Sequence, residues 1–303
     1  FTHLQLTEAT EWCRRRVDAL SAWLDGDRSA DADLDPEDDA LLLRAWQLRA
    51  GPIRDGSGAA LRYRHVAVDE VQDFSPLEVR VLIDCVDEAR SLTLAGDTQQ
   101  HVMEDAGFSS WSEFLAHLGI EGTRVDTLQV SYRSSCEIAE FAGALLGELR
   151  EDDAPLITTR EGPPVELFYF TDHGACIASL ADALTELARE EPLASVALLT
   201  PSPALSQVYH AGLAQSEVPR LHRVEHQDFR FSPGIEISEV EQVKGLEFDY
   251  VILVDVSEEN YPDDTRTRRL LHVGATRAVH QLWLTSVGTP ARAVREAVAK
   301  SAS

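Results

Sequence analysis

The chain has 303 residues and little with which to build a metal-clustered, disulfide-linked or membrane-spanning protein. Its four cysteines, Cys13, Cys85, Cys136 and Cys176, lie 40 or more residues apart, and no CxxC or CxxH spacing occurs. That argues against zinc and reads as reduced, mostly buried thiols in a cytoplasmic protein. No run approaches the length of apolar sequence that crosses a bilayer, so no membrane partner is expected. The chain opens Phe1-Thr2-His3, with no initiator Met and no charged-then-apolar leader, which reads as a fragment boundary. No internal repeat is visible.

Positive charge is also scarce. Lys and Arg number 27 against 52 Asp and Glu, a net charge of −25. Only Arg14-Arg15-Arg16 and the stretch from Arg266 to Arg269 concentrate it, while acids cluster in 25–39 and 148–153. The broad basic track expected of a phosphate-gripping surface is therefore missing. Two explanations stand side by side: phosphates are gripped by segments outside this sequence, or the protein works against a protein partner.

What remains is ordinary for a globular chain, with 44% apolar and 26% charged residues. Helical periodicity marks 7–24 and 40–49, separated by an acidic loop over 25–39, and 51–58 is turn-rich. Strands are then predicted at 65–69, 91–95, 126–130, 165–169, 195–200, 236–240, 251–255 and 281–285. Helices are predicted at 76–88, 109–117, 134–149, 173–190, 203–216, 266–279 and 291–300. Apolar runs such as Val251-Ile252-Leu253-Val254 suit parallel strands buried on both faces. The alternation predicts an α/β fold with a mostly parallel sheet, and a boundary near 121–131.

Five segments carry chemistry. Val66-Ala67-Val68-Asp69-Glu70-Val71-Gln72-Asp73 is an apolar strand ending in paired carboxylates. Ligands of open α/β sheets bind beyond the carboxyl ends of strands. There a first carboxylate can hold Mg²⁺ through water and a second can deprotonate water; an acidic pair is equally at home in a solvated turn. In Leu94-Ala95-Gly96-Asp97-Thr98-Gln99-Gln100 a strand ends in a Gly-Asp turn followed by amides able to bond water and phosphate oxygen, or in a plain turn. Val130-Ser131-Tyr132-Arg133-Ser134 sets an aromatic and an arginine before a helix N-cap. Tyr132 can stack on a base and Arg133 grip phosphate, or the two can simply pack and pair on the surface. Val243-Lys244-Gly245-Leu246-Glu247-Phe248-Asp249 offers close backbone approach at Gly245 and a carboxylate able to bind ribose at Glu247. Leu270-Leu271-His272-Val273-Gly274-Ala275-Thr276-Arg277 has helical spacing that predicts a free Arg277. Either of the last two also fits core plus surface charge.

Taken in this order, DEVQD, AGDTQQ, SYRS, VKGLEFD and LLHVGATRA resemble motifs II to VI of UvrD/Rep-type superfamily I DNA helicases, over roughly residues 62–287, with wording similar to the HelD-like branch. The resemblance implies RecA-like parallel sheets flanked by helices, one incomplete lobe and one complete lobe. It divides the chain into a helical insertion or linker over 1–60, a partial first lobe over 61–125 and a second lobe over 126–303. It implies ATP and Mg²⁺ as cofactors, DNA in single-stranded or duplex form as partner, and 3′→5′ movement coupled to ATP hydrolysis. By position, Asp69 matches the Mg²⁺-binding acid, Glu70 the residue that activates water and Gln100 the γ-phosphate sensor. Tyr132 matches the adenine-side aromatic, Glu247 the ribose contact, and Arg133 and Arg277 the two phosphate arginines. Some HelD-like proteins act on RNA polymerase, so the alternative is a non-hydrolysing, polymerase-associated interaction module.

Departures qualify the resemblance. GxxxxGK[ST] occurs nowhere in the chain, so the phosphate cradle is absent and the chain alone is expected not to hydrolyse ATP. The family places that motif upstream of DExQ. Its stacking aromatics after motif III are replaced by His101 to Phe108, leaving Phe108 or Trp111 as substitutes. Its Thr-x-His before Lys-Gly becomes Glu239-Val240-Glu241. An incomplete first lobe would also expose a sheet edge, an association risk.

Overall fold

A computed structural model describes residues 14, 38–97, 110–128, 130–150 and 157–301. The helix expected over 7–24, most of the acidic loop over 25–39, and the segment from Thr98 to Ser109 with Gln100 and Phe108 lie outside the described residues. The described residues divide into two compact units. One draws on 1–68 and 74–94, the other on 69–73 and 95–303.

In the first unit, α1 (Asp38–Ala50) packs beside α2 (Pro76–Ile83). Gln47 Nε2 donates to the Val81 carbonyl at 2.9 Å, and Arg44 pairs with Asp84. Ser75-Pro76-Leu77-Glu78 starts α2 as a capping box: the Ser75 hydroxyl takes the Glu78 N–H, and the Glu78 carboxylate takes the Ser75 N–H. The helix expected to reach 88 stops at Ile83. Asp84 closes it, Tyr63 N–H bonds the Cys85 carbonyl at 2.8 Å, and Val86 already opens β2 (Val86–Leu94). β2 runs parallel to β1 (Tyr63–Val68), with Val86 opposite Tyr63 and Ser91 opposite His65, so the chain enters the sheet at Val86 and bulges over 87–90 before the regular pairing resumes.

The second unit holds α3 (Trp111–His117), β3 (Val130–Ser131), α4 (Cys136–Leu146), β4 (Ile157–Thr158), β5 (Glu166–Phe170), α5 (His173–Glu190), β6 (Ser195–Thr200), α6 (Pro203–Gln215), β7 (Leu221–Arg223), β8 (Gly234–Glu239), β9 (Phe248–Leu253), α7 (Thr265–Ala275), β10 (Ala278–Val287) and α8 (Arg292–Ser301). Six strands form one all-parallel sheet in the order β5-β10-β9-β6-β8-β7. Ile138, Phe141 and Leu145 of α4, Leu271 and Ala275 of α7, and Val294 and Ala297 of α8 pack with Ala197, Leu199, Val251 and Leu253 in one core. Cys176, Leu180 and Leu184 of α5 and Tyr209 and Leu213 of α6 pack with Val196, Leu198, Ile237 and Ile252 in another. This is the expected α/β class, with parallel sheets flanked by helices. Among the described residues no helix is long and apolar enough to cross a membrane.

Three further elements differ from expectation. The strand expected at 126–130 shrinks to β3, which among the described residues pairs with β4, and Leu128 is 92% exposed. The helix expected to reach 279 ends at Ala275, because Phe248 N–H bonds the Arg277 carbonyl at 2.9 Å and draws the following residues into β10. β7, at three residues, is too short to leave a periodic signature.

Candidate nucleotide site

All the proposed site residues that the structure describes fall in the second unit, where segments far apart in sequence meet. Asp69 and Glu70 directly follow β1 in the chain. Glu70 sits in the left-handed region at φ 50°, which turns the chain sharply at the end of the strand. Asp69 is exposed and its Oδ1 accepts the Glu70 N–H at 2.9 Å. Glu70 Oε2 accepts from Gln72 Nε2 at 2.6 Å.

Gln72 was not singled out by sequence, yet it organises this turn. It is wholly buried, and while its amide nitrogen holds Glu70 its Oε1 accepts the Asp97 N–H at 3.0 Å. Val71 N–H completes the tie to the Ala95 carbonyl at 2.9 Å. Gly96 is required for that closeness: a Cβ there would lie 2.5 Å from Gln72 Oε1. The repeated amide in the two acidic segments was the available signal.

Lys244, one of two lysines in the chain, bonds the Asp73 carboxylate. Gly245 follows at φ +76°, with nothing within 4 Å of an added Cβ, so backbone conformation rather than space demands glycine. Glu247 then pairs with Arg133, Nε to Oε2 at 2.8 Å. Arg133 and Glu247 are 45% and 60% exposed, so both are within reach of a ligand. Tyr132 is 72% exposed and able to present its ring. Ser134, the neighbouring hydroxyl, is buried and donates to the Ala278 carbonyl at 2.7 Å, which fixes this segment against the start of β10.

Arg277 departs from expectation most clearly. Instead of a free guanidinium it is 1% exposed. Nε donates to the Val273 carbonyl at 3.0 Å, Nη1 to the Leu246 carbonyl at 3.2 Å and Nη2 to Thr276 Oγ1 at 3.1 Å. Burial, followed by the charge of Arg133, lowers its pKa to about 10, against the opposing pull of Glu70, Asp97 and Glu247. It stays cationic at neutral pH. A buried cation beside a second arginine, with the carboxylates of Glu70, Asp97 and Glu247 acting on it, makes a strongly charged site. Asp69, exposed beside Glu70, fits a hydrated divalent cation. Among the described residues no cluster of three or more His, Cys, Asp or Glu is poised to hold a metal.

Residues 234–285 match the UvrD-like helicase C-terminal domain. The ATP-dependent DNA helicase UvrD2 of Mycobacterium tuberculosis (strain ATCC 25618 / H37Rv) is 31% identical over 165 residues, 52% of this chain and 23% of that protein. DNA helicase IV of Escherichia coli (strain K12) is 26% identical over 289 residues, 80% of this chain and 39% of that protein. A solved structure, the C-terminal domain of a possible DNA helicase from Lactobacillus strain WCFS1, has 24% identity and a TM-score of 0.46, covering 55% of this chain and 94% of that one. The chain thus spans well under half the length of the two curated relatives. Over residues 234–285 it is similar to the UvrD-like helicase C-terminal domain, and along more of its length it is similar in sequence to UvrD2 and DNA helicase IV.

Proposed function

We propose that this chain is the C-terminal motor portion of an ATP-dependent DNA helicase or translocase, and that the second unit forms its nucleotide-facing surface. The observation that carries this reading is the meeting of Asp69-Glu70, the Lys244–Asp73 bond, the Arg133–Glu247 pair and Arg277 in one unit. Bound ATP with Mg²⁺ supplies the phosphoryl group that is transferred to water. Asp69 would hold the hydrated cation, and Glu70, oriented by Gln72, would accept the proton of the attacking water. Arg133 and Arg277 stabilise phosphate charge, Tyr132 stacks on the adenine, Glu247 bonds the ribose, and Gly245 admits the close approach. Gln100 reads the γ-phosphate. The chain alone lacks GxxxxGK[ST], so turnover belongs to the longer helicase polypeptide.

ATP hydrolysis by that polypeptide, with and without single-stranded DNA, tests the reading. Turnover that DNA stimulates and Glu70→Gln abolishes is expected; turnover indifferent to Glu70→Gln overturns it. Unwinding of partial duplexes with either overhang tests the 3′→5′ polarity. The net charge of −25 favours one rival, a non-hydrolysing or RNA-polymerase-associated interaction module. The rival predicts no DNA binding with a salt-dependent slope.

A further inference from the structure

Between β7 and β8 the chain runs Val224-Glu225-His226-Gln227-Asp228-Phe229-Arg230-Phe231-Ser232-Pro233. Three of these residues sit in the left-handed region: His226 at φ 52°, Gln227 at 63° and Phe231 at 49°. For a bulky aromatic that conformation is an outlier, kept only where the surroundings impose it. Phe231 is nevertheless 82% exposed, so its own burial does not offset the strain. The loop is pinned instead by its backbone. Val224 N–H bonds the Ile237 carbonyl at 2.9 Å, Gln227 N–H bonds Gln242 Oε1 at 3.2 Å, and Arg230 N–H bonds Glu236 Oε1 at 3.1 Å. Phe229 turns inward onto the core, with its ring centroid 6.3 Å from Phe248 and 6.4 Å from Phe231. The result is an exposed ring, next to an exposed arginine, on a fixed loop.

We propose that Phe231, flanked by Arg230, is a nucleobase-stacking platform for single-stranded DNA. The proposal rests on the DNA-motor reading above and deepens it by naming where the strand is held. Every base offers a π-face, so a single ring gives grip without sequence preference, and an adjacent guanidinium adds to it. Stacking also suits a chain with net charge −25, in which phosphate attraction is weak. Trp111, an alternative stacking surface, is half-buried edge-on against Phe114 at 6.5 Å and presents less surface. The platform is also connected to the nucleotide-facing residues. Phe231 touches Phe229, Phe229 touches Phe248, and Phe248 follows Glu247, the partner of Arg133. Gln227 is tied to the same segment through Gln242. A base pressing on Phe231 therefore has a short packed route to the Arg133–Glu247 pair.

The test is a fluorescence-anisotropy titration of the 303-residue chain with labelled oligothymidine and with an abasic strand of equal length. Thymidine should bind more tightly than the abasic backbone. Phe231→Gly should weaken thymidine binding roughly 5- to 150-fold and leave abasic binding unchanged. Glycine suits the left-handed backbone, so this variant should melt no lower than the parent chain. Phe231→Tyr should retain the preference for bases. The platform is overturned if both strands bind alike or if Phe231→Gly changes thymidine affinity by less than twofold. In that case DNA-stimulated hydrolysis and the Glu70→Gln comparison still judge the motor reading independently. If the chain binds neither strand, the platform is overturned, and hydrolysis that DNA fails to stimulate would take the motor reading with it.

Discussion

Arg133 and Glu247, 114 residues apart in sequence, are joined by a hydrogen-bonded ion pair of 2.8 Å in which each partner stays close to half exposed or more. A pair so open to solvent stabilises a fold by about 0–1 kcal/mol, which makes it a poor structural device. It is better suited to exchange, with Arg133 leaving Glu247 when a phosphate offers a stronger partner. Arg133→Ala is therefore expected to shift the unfolding midpoint little while lowering hydrolysis by the helicase polypeptide on the order of 100-fold or more. Parallel urea melts and steady-state hydrolysis would check both halves. A loss below threefold would remove Arg133 from the nucleotide site.

Arg277 makes the opposite prediction. Its guanidinium is buried and satisfies the carbonyls of Val273 and Leu246 as well as Thr276. Arg277→Ala should remove three hydrogen bonds and leave a cavity in place of a fully buried side chain, although Thr276 Oγ1 still donates to the Val273 carbonyl, and cost about 2–4 kcal/mol in urea unfolding. Arg277→Lys should recover only part of that, since one ammonium cannot reproduce a planar fork reaching three acceptors. Full stability in Arg277→Lys would show that charge alone is what the site requires.

His272 gives the fold a pH dependence whose direction can be worked out. Burial lowers its pKa below the ordinary value of about 6.5, and its Nδ1 meets the Ala142 carbonyl at 2.8 Å, the geometry of a neutral ring donating a proton. In the unfolded chain the ring takes up a proton as the pH falls through about 6.5, whereas in the fold it resists until lower pH. The unfolded state then binds more protons, so stability is full above about 6.5 and declines below it, by at most about 1.4 kcal/mol per pH unit. Urea midpoints from pH 7.5 to 5.5 should fall. His272→Gln should flatten the part due to this residue, and an unchanged slope would assign it elsewhere.

Gly96→Ala should act at a distance from its own position. The new methyl would meet Gln72 Oε1 at 2.5 Å and Val71 Cγ1 at 2.9 Å. Gln72 would have to release Asp97 N–H, Glu70 or both. The expected outcome is a loss of about 1–3 kcal/mol in stability together with reduced hydrolysis. Gln72→Ala should reproduce the catalytic loss without the steric one, and a fully active Gln72→Ala would dismiss the amide as an organiser of Glu70.

The sequence was most readable where a boundary rests on local chemistry. Asp172 takes the Ala175 N–H at 2.8 Å and starts α5, and α5 coincides with the helix expected over 173–190. Ser202-Pro203 likewise starts α6, and β6 occupies the expected 195–200. It was least readable where a distant partner decides. Pairing with β1 cut α2 short, and pairing with β9 did the same to α7. Within the site, residue types and order were legible but environments were not. Nothing in LLHVGATRA distinguishes a buried Arg277 from an exposed one, because its environment is set by other segments, Leu246 accepting its hydrogen bond and Arg133 lowering its pKa.

The place of β10 in the sheet has a consequence for how the chain is made. β10 is the last strand in sequence, yet it lies between β5 and β9, where Leu284 aligns with both Leu167 and Leu253. During synthesis β5 emerges early and has no neighbour until β10 leaves the ribosome, so the sheet can close only at the end of translation. A nascent chain stalled before residue 278 would hold Leu167, Phe168 and Phe170 beside an empty strand position, a natural target for chaperones. Force measurements on arrested chains of increasing length should therefore show one late release of tension, after β10 has emerged, rather than steady gains from each βα unit.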